Sequence, residues 1–166
     1  QESLKQVSNE YVTDEMKKQY LAESNFLIAY YHFLSMRSYG PTMIIRSVID
    51  LETPISGFPE RSSIDEVVAF INEKLDEAMS EGGLPTTWSG KDYGRATRLA
   101  ALALKSRVYL YAASPLYNGN TEMYADFRSP LDGRQLIAQE KSQAKWEISA
   151  TQTKYAIDEV EKAKFH

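Results

Sequence analysis

The 166-residue sequence contains no cysteine and only two histidines, His32 and His166. Disulfides, thiol nucleophiles and cysteine-ligated metals are therefore excluded for these residues. The two histidines are too few and too far apart for a recognisable metal or triad pattern. No run approaches the roughly 18 consecutive apolar residues of a membrane span. The net charge is −4 and there is no basic block, so the clustered cations of a phosphate-backbone footprint are missing and no nucleic-acid partner is expected. A Gly-rich phosphate loop is also missing: Gly82-Gly83 has neither the strand–loop–helix context nor the lysine. No cofactor is implied. The sequence starts at Gln1, without an initiator Met or a signal peptide, and any targeting segment is expected to have been removed or to lie outside these residues.

What is abundant is helix-forming apolar sequence. From Ala96 to Ala113 alanines and leucines run almost unbroken, and polar residues are nearly confined to Thr97, Arg98, Lys105, Ser106 and Arg107. A surface helix buries one stripe; this one is apolar over most of its circumference and is expected to be covered on several sides. Ser114-Pro115 stops it, because proline lacks an N–H and disfavours a helical residue before it.

Four helices are predicted. The first covers about Thr13 to Ser38, with Asp14 and Glu15 at its start and Gly40-Pro41 at its end; its second half, Phe26 to Met36, is apolar on nearly every face and reads as central. The second covers about Ile64 to Ser80. Ser63 and Glu66 form a capping box, Ile64, Val67, Val68, Ile71, Leu75, Ala78 and Met79 follow a 3.6-residue period, and Gly82-Gly83 closes it. The third is Arg95–Ala113. The fourth covers about Ser142 to Ala163, with a narrower stripe of Trp146, Ala150, Thr153, Ile157 and Val160 that suggests an outer helix on one neighbour. Between them, Pro41 to Arg61 holds a short segment of extended character, and Leu84 to Tyr93 is polar around Trp88. Leu116 to Lys141 is long enough to be functional or packed by its own side chains, and it carries a turn signal at Asp132-Gly133. The fold class is all-α: helical hairpins, first with second and third with fourth, resembling tetratricopeptide repeats but joined by longer loops.

Eleven tyrosines offer apolar faces with hydroxyls, suited to sugar or protein contacts and equally to helix cores. The candidate ligand-binding residues are Trp88, Asp92 and Tyr93, and beyond the Pro115 break Tyr117 and Asn118, with Asn120. A loop tryptophan can stack on a sugar ring while a nearby carboxylate binds hydroxyls; tyrosine and asparagine add stacking and amide hydrogen bonds. The competing reading is packing, with Trp88 anchoring its loop against helix ends, and packing outweighs binding for both groups. Arg95 after Gly94 reads as a tight turn with a salt bridge, His32 as a hydrogen-bonded packing residue, and Trp146 as a seam between helices. Asp65, Glu66, Glu73, Asp76 and Glu77 lie on the polar side of the second helix and read as a solvated face rather than as paired acid–base groups. No catalytic or metal-binding constellation is present, and no enzyme activity is expected.

Four blocks carry a family resemblance: AESNFLIAYYHFLSMRSYGP (Ala22 to Pro41), PERSSIDEVVAFINEKLDEAMSEGGLP (Pro59 to Pro85), GRATRLAALALKSRVYLYAASPLYNGN (Gly94 to Asn120), and YADFRSPLDGRQLI with KWEISATQTKYAID (Tyr124 to Asp158). In order and spacing they resemble the SusD/RagB family of nutrient-binding outer-membrane lipoproteins of Bacteroidota. Ile28 stands where the family usually has arginine, and Ser149-Ala150 shifts its usual alanine pair. Full-length members are roughly three times longer than this chain, beyond the about 100–200 residues of one domain, so residues 1–166 read as part of a SusD-like helical repeat domain. The resemblance implies a non-catalytic subunit that captures an oligosaccharide or other nutrient at the outer membrane, works with a TonB-dependent SusC-like transporter, and is held by a lipid anchor outside this chain. The alternative is a helical-repeat protein–protein scaffold without sugar binding.

Overall fold

A computed structural model describes residues 12–164. Among them there are helices and isolated bridges but no strands. The long helices are α1 (Asp14–Tyr39), α2 (Ile64–Ala78), α3 (Arg98–Ala113) and, after the single-turn α4 (Thr121–Tyr124), α5 (Gln143–Lys164). None is long and apolar enough to cross a membrane.

Local chemistry sets each start. The Thr13 hydroxyl accepts the Met16 N–H at 3.2 Å and caps α1. At α2 the capping box is complete: Ser63 Oγ accepts the Glu66 N–H at 3.3 Å, and Glu66 Oε2 accepts the Ser63 N–H at 2.7 Å. Such reciprocal bonds satisfy donors that the first helical turn leaves open. The third helix begins three residues later than its apolar run suggests. Thr97 takes the cap, accepting the Ala100 N–H at 3.1 Å, while Gly94 turns the chain at φ +98° and leaves Arg95 in the loop. The second helix stops at Ala78, before the Gly82-Gly83 pair.

Each helix packs on its neighbour in sequence: α1 on α2, α2 on α3, α3 on α5, with α1 touching α3 lightly. This is the stacking of two successive helical hairpins. The shared core joins Ala29, Phe33 and Met36 of α1, Val67, Ile71 and Leu75 of α2, and Ala101, Leu104, Val108 and Ala112 of α3. Full burial of such aliphatic and aromatic side chains is worth about 1.5–3 kcal/mol each. Phe33 meets Tyr111 edge-on at 5.3 Å. The predicted α2 stripe is the buried face, widened by Phe70 and Asn72.

Three packing expectations need correction. The second half of α1 is not enclosed on every side: Leu27, Tyr30 and Tyr31 are 46, 39 and 62% exposed, because α2 and α3 cover only the opposite face. Likewise α3 leaves an open stripe of Ala100, Ala103, Arg107 and Leu110. The buried face of α5 is also rotated from the predicted one. Ser149 and Ala156 are buried, whereas Ala150, Thr153 and Ile157 are exposed. Small side chains, not the larger apolar ones, face α3 here, since they let two backbones approach closely.

The long connection after α3 folds back into the core. Tyr117 and Ile137 belong to the central cluster, and residues 127–136 form a tight turn with an antiparallel bridge between Arg128 and Gln135. The Ile64 N–H donates to the Leu136 carbonyl at 2.9 Å, fixing this turn on the start of α2. In the Pro41–Arg61 segment extended pairing is limited to the Met43–Arg61 bridge.

Candidate functional site

The loop before α3 brings Trp88, Asp92 and Tyr93 into one neighbourhood organised by Arg95. The guanidinium donates to both carboxylate oxygens of Glu23 in α1, at 2.8 and 3.0 Å, and to Asp92 at 2.9 Å. The same group lies 4.1 Å from the Trp88 ring centroid and 5.5 Å from that of Tyr20. Hydrogen bonds donated to Glu23, then to Asp92, hold Arg95 more firmly protonated than a free arginine. Trp88 is half-buried and donates its Nε1–H to the Ala96 carbonyl at 2.7 Å. One indole face is therefore occupied by a cation and the polar edge by the backbone. Asp92 is engaged by Arg95, while Tyr93 is 87% exposed. Of this trio Tyr93 presents a free aromatic surface.

Tyr117 and Asn118 lie elsewhere and inside, 3 and 4% exposed. The Tyr117 hydroxyl donates to the Met36 carbonyl at 3.2 Å, and burial pushes its ionisation up. Asn118 accepts the Ser142 N–H at 2.8 Å and donates to the Ser142 and Ala113 carbonyls at 2.9 and 3.3 Å, clasping the end of α3 to the start of α5. Asn120 caps α4 through the Met123 N–H at 3.0 Å. These groups spend their hydrogen bonds within the chain. The second and first candidate clusters are not brought together.

Comparison with known proteins places this arrangement. Residues 1–110 match a SusD-like family model described as starch-binding and associating with the outer membrane. The chain belongs to the SusD-like family. Its helices superpose on the solved structure of a protein designated BT4246 with a TM-score of 0.83, at 35% identity over 95% of this chain and 27% of that one. A SusD-like protein from Bacteroides fragilis, BF3747, gives 0.56 at 34% identity, covering 62% of this chain and 19% of its own. Surface glycan-binding protein A from Bacteroides fluxus gives 0.50 at 32% identity, covering 75% of this chain and 27% of its own. No curated protein matches the chain. The SusD-like chain thus spans about a quarter of the first of these relatives, a smaller share than the family resemblance in sequence implies.

The other polar groups singled out in the sequence of this SusD-like chain have structural roles. His32 Nδ1 donates to the Ile28 carbonyl at 2.8 Å and Nε2 accepts the Ile45 N–H at 3.2 Å; the ring meets Phe70 edge-on. His166 lies outside the described residues. The α2 carboxylates pair outward: Glu73 with Arg46, Glu77 with Lys74, Asp76 with Lys105 and Asp65 with Lys145. Trp146 is half-buried. No group of three or more potential metal ligands converges among the described residues.

One concavity escaped the sequence reading. The Glu60-Arg61 segment faces the 127–136 turn across a cleft of about 420 Å³, whose walls include Phe127, Arg128, Ser129, Pro130, Leu131 and Leu136. Ser129 is 3% exposed and donates to Glu60 at 3.0 Å. The only hint in sequence was the Asp132-Gly133 turn, which says that the chain reverses but not what it then faces.

Proposed function

We propose that the protein of which these residues form the helical part is a non-catalytic receptor that captures an oligosaccharide at the outer membrane and hands it to a TonB-dependent SusC-like transporter. The observation that carries this reading is the family match over residues 1–110, supported by the likeness to a surface glycan-binding protein. The described residues add consistent chemistry. The carboxylates of α2, Asp65, Glu66, Glu73, Asp76 and Glu77, are each paired with a cation on its exposed face, so no two of these five are left poised as a proton-transferring pair. Tyr93 offers an exposed ring beside a rigid Trp88–Arg95–Glu23 knot, a suitable stacking platform for a sugar. The bare apolar residues Leu27, Tyr30 and Tyr31 suit contact with protein rather than with sugar, and we assign transporter contact to the helical surface. Attachment to the membrane falls to a lipid anchor outside these residues.

The test is calorimetric titration of the full-length protein with neutral and acidic oligosaccharides, followed by product analysis after long incubation. Binding without hydrolysis is expected, with Tyr93→Ala weakening it and leaving the melting temperature unchanged. Release of shortened products would overturn the receptor reading in favour of an enzyme. Co-purification of the tagged protein with a large β-barrel transporter tests the partnership.

A further inference from the structure

We propose that the cleft between Glu60-Arg61 and the 127–136 turn is a subsite for one residue of a neutral oligosaccharide. The proposal rests on the receptor reading above and adds to it a binding surface distinct from the Tyr93 platform.

The cleft is built, not incidental. Arg134 donates to the Arg61 carbonyl at 3.0 Å and to Glu66 at 3.4 Å. The turn is closed by Ser129 N–H to the Arg134 carbonyl at 2.9 Å and Gly133 N–H to the Ser129 carbonyl at 3.0 Å. Both walls are therefore bolted to the first turn of α2. The buried Ser129 hydroxyl fixes Oε2 of Glu60, and Oε1 has no hydrogen-bond partner among the described residues. Arg128 uses one guanidinium nitrogen on the Gly133 carbonyl at 3.1 Å. Neither Arg61 nor Arg128 enters a salt bridge among the described residues.

This is the chemistry a sugar ring requires. Each hydroxyl both donates and accepts, so an oriented carboxylate supplies the acceptor and guanidinium groups supply donors. The ring's C–H face needs apolar surface, which Phe127, Pro130, Leu131 and Leu136 provide. The volume falls in the roughly 300–1,000 Å³ range of small-ligand pockets. Charge decides between neutral and ionised sugars. Glu60 lines the cleft with Arg61 and Arg128, and behind them Arg134 is paired with both Glu66 and Asp132, so three carboxylates offset three guanidinium groups. The field is balanced and gives a uronate or sulfated unit no advantage.

The experiment uses the full-length protein and a series of neutral oligosaccharides of increasing length, with a uronate-containing series beside them. Leu131 is 74% exposed, so Leu131→Trp fills the cleft without touching the core. Both Leu131→Trp and Glu60→Gln are expected to weaken the best neutral ligand about tenfold, as for loss of one charge-assisted hydrogen bond, and to abolish the gain in affinity with chain length. Melting temperatures should stay at the wild-type value. Neutral binding unchanged within about twofold in both variants overturns the subsite and leaves the receptor reading intact. Tighter binding of the uronate series, lost in the variants, overturns the neutral specificity. Failure of the wild-type protein to bind any oligosaccharide overturns the receptor reading and the subsite with it. A transporter that no longer co-purifies with Leu131→Trp, while sugar affinity is retained, reassigns the cleft to protein contact.

Discussion

Arg95 reaches across 72 residues of sequence to grip Glu23 through two parallel hydrogen bonds, tying the loop before α3 to the middle of α1. Both side chains are less than a third exposed, 26 and 21%, so solvent screening reduces the pair less than it would a surface bridge. Replacing Arg95 with Ala should cost about 1–3 kcal/mol, and Glu23→Gln somewhat less. A double-mutant cycle by urea denaturation should give a coupling of about 1 kcal/mol; additive effects would refute the pair. Arg95→Ala should also uncover the indole of Trp88 and red-shift its fluorescence.

The capping box gives a pH signature. Hydrogen bonds from the Ser63 N–H, then from the Ser63 hydroxyl, with a smaller contribution from Arg134, hold the Glu66 carboxyl below its ordinary 4.5. A depressed folded-state value means stability that is present above the ordinary carboxylate range and lost as pH falls through the folded value. Wild-type protein should therefore lose more stability than Glu66→Gln when urea midpoints at pH 7 and pH 3 are compared. At pH 7, Ser63→Ala should cost about 1 kcal/mol.

Gly119 sits at φ +82°, and a Cβ there would lie 2.6 Å from the Lys141 backbone nitrogen. Neither the left-handed backbone nor the approach of the two strands of chain admits a side chain. Gly119→Ala should destabilise by about 1–3 kcal/mol and disturb the adjacent Asn118–Ser142 clasp. Amide exchange at the start of α5 should accelerate first; a uniform loss of protection across all helices would argue against a local effect.

Asn72 is 7% exposed. Its Nδ2 donates to the Val68 carbonyl at 2.9 Å, but its Oδ1 has no partner among the described residues. Since an unmet buried acceptor carries its desolvation cost uncompensated, Asn72→Leu should be neutral or stabilising by up to about 1 kcal/mol. A clear drop in thermal midpoint would mean that the oxygen is satisfied by solvent or by other parts of the protein.

The fold was legible where chemistry is local. The Ser63–Glu66 box, the period from Ile64 to Ala78 and the proline stop at Ser114-Pro115 each state their structure within a few residues. What lay beyond reach was orientation. The larger side chains of α5 suggest a face through Trp146 and Ile157, yet Ser149 and Ala156 are the ones against α3, since close backbone approach rewards small size rather than hydrophobicity. The start of α3 was misplaced because Ala96 continues the apolar run, while the cap that decides the boundary is the hydroxyl of Thr97. Site residues were harder still. Trp88 and Asp92 each meet Arg95, and that Arg95 covers the indole depends on Glu23 in another helix. Glu60 and Ser129 meet only because a turn folds back on α2, a relationship no spacing encodes.

The nearest-neighbour stacking of the helices has a mechanical consequence. Among the long helices α5 packs on α3 and otherwise reaches α2 through the Lys145–Asp65 ion pair, so a disturbance in α1 must cross two interfaces before α5 senses it. Protection against solvent exchange should peak in the middle of the stack, at the contact of α2 with α3, and decline outward, with the last helix detaching before the first three lose cohesion.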